Sequence, residues 1–577
     1  MPRVLNKFLR TESMHINIRL LIVFSTALSL LAETIKADNY IIVYRNHTQK
    51  QNMLTRRPAF TVSRSFNIIP AIAAKLDANQ VKELRKNPDV AYIEPDYKIY
   101  ALGSPDAVGA DSSSGINALS SSQTIPYGIT MVNAPLVWPR TKGAGVRVAV
   151  LDTGISMYHP DRGNVVASVS FATDQNGVTI PVEDFHGHGT HTSGTVAAAD
   201  NNIGVVGVAP QADLLIAKVM DNTGTGQTSW LISGIEWAVN NNAKVISMSL
   251  GDYDYSAALD TACSNAFAAG VLIVAAAGNE NSSSPLYPAA LPSVISVAAV
   301  DQNKNRASFS NYGSTIDLAA PGVSVYSTVP VSTDTSATAE ADWSSVIHLA
   351  NLVIGTAPGS VSGTICNCGL ATGSDPQDTC PNSVAGNIAH IRRGTITFAA
   401  KVAHAQSKGA IGVIISNNVS GNFNGTLSDG SPLVVVSISQ ADGDELQILA
   451  QSGITGTASV TSNPYTYYSG TSMATPHVAG VAALVFAAAN SNITPAEVSN
   501  ILFDTAQDLG TSGRDDYFGY GLVDAYAALQ LERMDLLAIF ASQWLQTCSA
   551  SSWCEGMDSN HSGRVDFLDF AAFAQNW

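Results

Sequence analysis

The middle of this sequence predicts an α/β fold built on a mostly parallel sheet with helices on both faces. Two observations carry that expectation. Val146–Leu151, Leu214–Val219, Val245–Leu250 and Val271–Ala277 read as continuous apolar strands, as expected when helices cover both sheet faces. Segments with helical periodicity, Thr228–Asn240 and Asp260–Ala269, lie between them, so strands and helices alternate.

Composition bounds the rest. The 577 residues are 46% hydrophobic and only 13% charged, with 6 cysteines. That length allows several domains and a large core. The apolar content excludes a mainly disordered chain, and the cysteines are too few for a disulfide scaffold. There are 46 acidic against 30 basic residues, a formal charge of −16, which excludes a nucleic-acid binder because its footprint is basic. The charge is unevenly placed. Residues 1–102 hold 15 basic and 8 acidic residues (+7), and the remaining 475 hold 15 and 38 (−23). Such a division suits two pieces with separate fates that attract one another.

Along the chain, Lys7, Arg10 and Arg19 precede the apolar run Leu20–Ala32, which is too short for a membrane span. Residues 1–37 therefore read as a secretory signal cut near Ala37, with Met14 as an alternative start. No later stretch has 18 consecutive apolar residues, so no membrane span is expected after signal removal. Residues 38–102 read as a small α/β unit: a strand at Tyr40–Tyr44, a helix over Leu76–Asn87, and a strand at Val90–Ile93 ended by Glu94-Pro95-Asp96. Residues 103–121, rich in Ser, Gly and Ala, read as a linker. The α/β pattern fills 122–330 and resumes at 464–531, interrupted by a β-leaning, Ser/Thr/Gly-rich insert at 331–463. The last segment, 532–577, holds a weak repeat: Phe540–Trp544 returns as Phe573–Trp577, 33 residues later.

Three segments carry chemistry. Val148–Gly154 puts Asp152 at the C-terminal end of a buried strand, where α/β sheets place their sites. His186-Gly187-His188-Gly189-Thr190-His191 sets imidazoles on a Gly-rich turn opening a helix. Gly470–His477 sets Ser472 just before an apolar helix over Val478–Ala489. A serine hydroxyl is a poor nucleophile until an imidazole takes its proton and a carboxylate orients that imidazole. Taken singly, an Asp after a strand is usually a cap and a Ser before a helix is usually an N-cap. Together, in the order Asp, His, Ser, they resemble the subtilisin-like serine proteases, the subtilases, over 122–330 and 464–531.

That resemblance implies a fold and a set of roles. The fold is a subtilisin-like α/β sheet. Ser472 is the nucleophile, His188 the base, Asp152 its orienter and Asn279 the oxyanion-hole amide. Ser249, Leu250, Gly251, Ala276, Ala277 and Gly278 wall a pocket for a large apolar residue. His186, His188 and His191 could form a zinc cluster, but His191 also fits the subtilase pattern, His186 reads as a surface loop residue, and His159 and His477 read as structural. The resemblance further implies structural Ca²⁺ held by Gln123, Asp161, Asn201 and the carbonyls of Ala199, Ile203 and Val205, with no catalytic cofactor.

The flanking segments resemble known parts as well. Residues 38–102, through Ala91–Asp96, resemble the family's inhibitory propeptide. Self-cleavage after Leu102 would then put Leu102, Ala101 and Ile99 in the P1, P2 and P4 pockets; the extension 103–121 leaves a cut within it as the alternative. The insert resembles a protease-associated domain in Gly386–Gly394, Phe398, Lys401 and Lys408–Ile415, with Cys366 or Cys368 pairing Cys380. It would filter or dock protein substrates.

In 532–577, Asp558, Asn560, Ser562, Arg564 (through its carbonyl), Asp566 and Asp569 form one EF-hand-type calcium loop with Gly563 at its sixth position. The segment resembles a degenerate dockerin of short helical type, which implies attachment to a surface or scaffold partner, and Cys548 with Cys554 would close a loop. The expectation is a secreted serine endopeptidase made as an autoprocessed zymogen, whose partners are protein or peptide substrates and its own propeptide. The rival readings are an inactive adhesion protein on the same scaffold and an exopeptidase whose cleft the insert restricts.

Overall fold

The computed structural model describes residues 38–105, 123–330, most of 336–531 and parts of 543–570. The expected signal, most of the linker, the start of the first copy of the C-terminal repeat and all of its second copy lie outside the described residues. The chain divides into two units, with the boundary between Tyr97 and Lys98.

In the first unit four strands form an antiparallel sheet in the order Thr61–Ser65, Ala71–Leu76, Asp38–Tyr44, Val90–Pro95. Two helices, His47–Thr55 and Ala78–Leu84, complete it, and Ile42, Tyr44, Ile72, Leu76, Val81 and Leu84 fill the core. The helix expected over Leu76–Asn87 begins later. Leu76 closes a strand, and Asp77 caps the helix by accepting from the N–H groups of Asn79 and Gln80, with Gln80 returning the bond. This capping box stops the helix from extending back into the strand.

The second unit is organised by seven parallel strands. Their order is Leu318–Pro321, Ile295–Val300, Leu272–Ala276, Val245–Met248, Arg147–Asp152, Asp213–Lys218, Asn164–Ser170. The inner strands are buried along their whole length except at Arg147 and Asp213, which is why they carry no polar alternation. Helix Thr471–Ala488 is buried from Thr471 to Phe486 and packs in the main core. Ser472 therefore lies inside the first turn of this helix, not ahead of it as expected. The expected strand Val245–Leu250 breaks at Ser249, and Leu250–Gly251 turns away to pair with Tyr100 and Ala101.

The insert is more than β-leaning. Eight strands form one sheet, and its three central members, Ile388–Arg392, Gly412–Ser416 and Val434–Ile438, are parallel. Helices Phe398–Ser407 and Gln440–Leu449 start at Thr397 and Ser439, whose side chains accept from the backbone N–H of Ala400 and Asp442. Periodicity alone missed these helices because small residues dilute their apolar stripe. Cys368 pairs with Cys380, and Cys366 remains a buried thiol. The insert interrupts a hairpin. Val325–Thr328 pairs antiparallel with Tyr465–Ser469, so its two ends leave side by side, a few residues from Ser472.

Candidate active site

Asp152 ends its strand inside the protein, and the backbone N–H of Thr153 donates to its Oδ1 at 2.7 Å. His188 opens the helix His188–Ala197 after Gly187, whose φ of +97° suits glycine. Its Nδ1 donates to Asp152 Oδ1 at 2.8 Å, and Thr192 Oγ1 donates to Oδ2 at 3.2 Å. Burial works to lower the pKa of the His188 imidazole, but the charge and hydrogen bond of Asp152 outweigh it and hold the ring above its ordinary value. Its Nε2 has no hydrogen-bond partner among the described residues.

Ser472 Oγ donates to the carbonyl of Ser249 at 3.0 Å instead of to His188. The peptide that follows Leu102 occupies the space between the two groups. A side-chain carbon on Gly103 would stand 3.3 Å from Ser472 Cβ and 3.5 Å from His188 Nε2. Leu102 donates its N–H to Ser249 O at 3.2 Å, and its carbonyl accepts from the Ser472 N–H at 3.3 Å. Asn279 Oδ1 accepts from Thr471 N at 2.8 Å. That bond leaves the amide nitrogen beside the same carbonyl: a carbon added to Gly470 would lie 2.8 Å from Leu102 O and 3.2 Å from Asn279 Nδ2.

An extended strand leads into this point and another leads out. Lys98–Ala101 lies between Thr225–Gln227 and Leu250–Gly251, antiparallel to both, and Ala101 N donates to Gly224 O at 2.9 Å. Past Gly103, Ser104–Pro105 pairs antiparallel with Tyr468–Ser469. The Leu102 side chain is buried with Ala276 and Leu286, while Ile99 lies against Gly226.

Of the expected pocket walls, Ser249, Leu250, Gly251 and Ala276 thus meet the strand or its side chains. The Ala277 side chain packs away from Leu102, against Ala298 and Ile316. Gly278 donates its N–H to Thr471 Oγ1 at 3.1 Å. Sequence reasoning missed Leu286 and Thr225–Gln227, because tertiary folding alone brings those segments beside Leu102. It also missed Asp184 and Lys218. The signal for Lys218 was a charge within the run Leu214–Val219, which is therefore not continuously apolar.

His186 is half-buried, with its ring edge-on to His188 at 6.1 Å, and is not a free surface residue. His159, His191 and His477 are fully buried, each with a ring nitrogen hydrogen-bonded to a backbone carbonyl: Pro464, Val325 and Met473 respectively. Burial pushes them down to about 4, about 3 and about 4. Among the described residues no group of three or more His, Cys, Asp or Glu side chains is arranged to hold a metal.

The first calcium ligand set partly assembles. Gln123 Nε2 donates to the carbonyls of Ala199 at 2.6 Å and Val205 at 2.9 Å. Asp161 is buried beside them. Its Oδ2 accepts from Val205 N at 2.7 Å, and its Oδ1 has no partner among the described residues. Burial pushes the Asp161 carboxyl up to about 7, against its hydrogen bonds. Asn201 Oδ1 accepts from Ile203 N at 3.1 Å. An orphaned carboxylate oxygen beside converging carbonyls fits a hard cation with oxygen ligands.

In the C-terminal loop, Asp558 accepts from the N–H groups of Ser562 and Gly563, and Asn560 Oδ1 also accepts from Ser562 N. Asp569 accepts from Ser559 Oγ, Asn560 N and Asp566 N, and Ser562 Oγ donates to the Arg564 carbonyl. Asp558 and Asp569 are both buried. Cys548 is disulfide-bonded.

A buried Asp–His pair, a serine at a helix start and an extended strand held across them, all on a parallel α/β sheet, define a scaffold of the serine-peptidase type. Residues 143–373 and 384–521 match the subtilase family, and the chain belongs to it. Residues 32–101 match the peptidase inhibitor I9 family. The chain is 45% identical over 274 residues to Subtilisin NAT of Bacillus subtilis subsp. natto, a match covering 47% of this chain and 66% of that protein, just under two thirds. It is 38% identical over 317 residues to a thermostable alkaline protease of Halalkalibacterium halodurans, covering 54% and 81%. The crystal structure of fervidolysin from Fervidobacterium pennivorans, at 24% identity and a TM-score of 0.55 over 86% of this chain and 61% of that one, shares the fold.

Proposed function

We propose that this chain is a secreted serine endopeptidase made as a self-processing zymogen. The observation that carries the reading is the Leu102–Gly103 peptide lying across Ser472, with chain running on to both sides. A cleft that accepts chain on both sides of the bond favours an endopeptidase over an exopeptidase. Retention of all four expected groups around one peptide argues against an inactive adhesion scaffold.

His188 Nε2 takes the proton of Ser472 Oγ as the oxygen attacks the Leu102 carbonyl carbon. Asp152 holds the ring and stabilises its charged form. The Ser472 N–H and the Asn279 amide stabilise the oxyanion. His188 then protonates the Gly103 amine, and water repeats the sequence to release the Leu102 acyl group. Substrates bind as the Lys98–Ala101 strand does, by main-chain bonds to two flanking strands. The apolar walls Ala276 and Leu286 favour a large apolar P1 residue.

Gln123, Asp161, Asn201 and the carbonyls of Ala199, Ile203 and Val205 would hold a structural Ca²⁺ that ties residue 123 to the core. The loop from Asp558 to Asp569 would hold a second and present the C-terminal segment to a scaffold partner. The insert, as a protease-associated domain beside the cleft, would restrict which protein substrates enter. Casein hydrolysis by the wild type and Ser472→Ala tests the reading. The variant should be inactive and remain an uncut precursor, and mass spectrometry of the wild type should find a new N-terminus at Gly103 or within the linker. Equal activity of both proteins would overturn it.

A further inference from the structure

The turn that carries His188 is hydrogen-bonded to a buried carboxylate that the proposed reaction does not use. Asp184 accepts five hydrogen bonds. Its Oδ1 takes Thr153 Oγ1 at 2.9 Å, His186 N at 3.0 Å and Gly187 N at 2.9 Å; its Oδ2 takes Thr190 N at 2.8 Å and Thr190 Oγ1 at 2.7 Å. These donors come from the residue after Asp152 and from both sides of His188. Thr153 Oγ1 also accepts from Gly189 N at 2.8 Å, closing the link between strand end and turn. Lys218, fully buried on the neighbouring strand, reaches the Thr153 carbonyl and lies 3.4 Å from Glu183 O, within the field of Asp184 and Asp152. A buried carboxylate costs stability unless it is hydrogen-bonded, and five donors satisfy this one, while Lys218 acts on it through its field and not through a direct ion pair.

We propose that Asp184, with Lys218 as its counter-ion, is a positioning residue for His188: it fixes the turn against the Asp152 strand and adds a second negative charge to the environment of the imidazole. The proposal rests on His188 being the general base. Opposite charges raise the pKa of an imidazole and like charges lower it, so the two members of the pair push in opposite directions. The titratable groups that act on His188 directly are Asp152 at the strand end, Asp184 and His186 in the preceding loop and His191 on its own helix; Lys218 on the adjacent strand faces Asp184, Asp152 and Glu183, and His477 on the helix of Ser472 faces His191. Glu183 is pushed up to about 7 by burial, so it is only partly ionised where His188 titrates.

The test is the pH dependence of kcat/KM for a short chromogenic peptide with the processed full chain, together with the pH dependence of inactivation by phenylmethanesulfonyl fluoride. Asp184→Asn should move the acid limb to lower pH by about half a unit or more, and Lys218→Met should move it to higher pH. Glu183→Gln should move it by less than Asp184→Asn does. In Asp184→Asn, kcat on the plateau should fall by about three- to tenfold with KM within twofold, as expected for lost orientation. If either buried-charge variant does not fold, Thr190→Val, which withdraws one donor from the same carboxylate, should show the smaller kcat loss at constant KM. Acid limbs that stay put or move in the same direction, or an unchanged kcat in Thr190→Val, overturn the proposal. A wild type that cannot cleave casein would instead overturn the peptidase reading.

Discussion

Two fully buried histidines in this protein stand beside a serine or carboxylate and behave oppositely. His390, on a parallel strand of the insert, bonds Ser416 Oγ through Nε2 at 3.0 Å, and its Nδ1 has no partner among the described residues. Burial, then the charge of Arg392, pushes it down to about 4. His188 is equally buried, yet Asp152 turns its shift upward. A His–Ser contact on a parallel sheet is therefore not a nucleophilic site in itself. It also needs a carboxylate behind the ring and an extended strand lying in front of the serine, and among the described residues only the Ser472 region has both.

Replacing each histidine tests that contrast most severely. His188→Ala should cut kcat/KM by about 10⁴-fold or more. His390→Ala should leave peptide hydrolysis within twofold and lower only the melting temperature. Comparable losses in the two variants would break the comparison.

Next in size is the oxyanion amide. Asn279→Leu should lower kcat by about 10²- to 10³-fold with little change in KM, because the developing charge appears only in the transition state. Steady-state kinetics on a short peptide separates the two parameters.

Asp161 extends the comparison to a carboxylate that lacks an opposite charge. Its folded pKa, about 7, lies above the ordinary 3.8, so the folded state binds the proton more tightly than the unfolded state. That stability is fully present below the unfolded value and is lost as pH rises through the folded one. With a chelator, the melting temperature should fall between about pH 4 and 7; excess Ca²⁺ should flatten that fall. Calorimetry in both conditions reads it, and parallel profiles would remove Asp161 from the calcium set.

The smallest effect belongs to the Cys368–Cys380 bridge, separated by 12 residues. Replacing both with serine should destabilise the insert by about 2–3 kcal/mol through lost loop constraint. Hydrolysis of short peptides should not change. Reduced peptide hydrolysis in the folded variant would mean that the insert shapes the active site itself.

Much of the molecule was legible in the residues. The apolar runs located the parallel strands because a strand covered on both faces carries no polar alternation. The segments around Asp152, His188 and Ser472 were visible because close approach of backbone and the proposed catalytic groups requires Gly and other small residues at fixed local spacing. The helix at Thr228–Asn240 was found to the residue. Local pattern failed at Leu76, where an Asp cap divides strand from helix, and in the insert, whose two helices are short and rich in small residues.

By itself, the sequence determined the fold class and the family resemblance, and it pointed to the groups proposed to do the chemistry, since each of these depends on residue type and short-range spacing. Only the tertiary structure decided that Leu102–Gly103 lies between His188 and Ser472, that Leu286 and Thr225–Gln227 line the strand, and that Asp184 bonds both Thr153 and the turn of His188 while Lys218 reaches the Thr153 carbonyl. Those relations join residues tens to hundreds of positions apart. They are set by which strand lies beside which in the sheet, and no local periodicity encodes that.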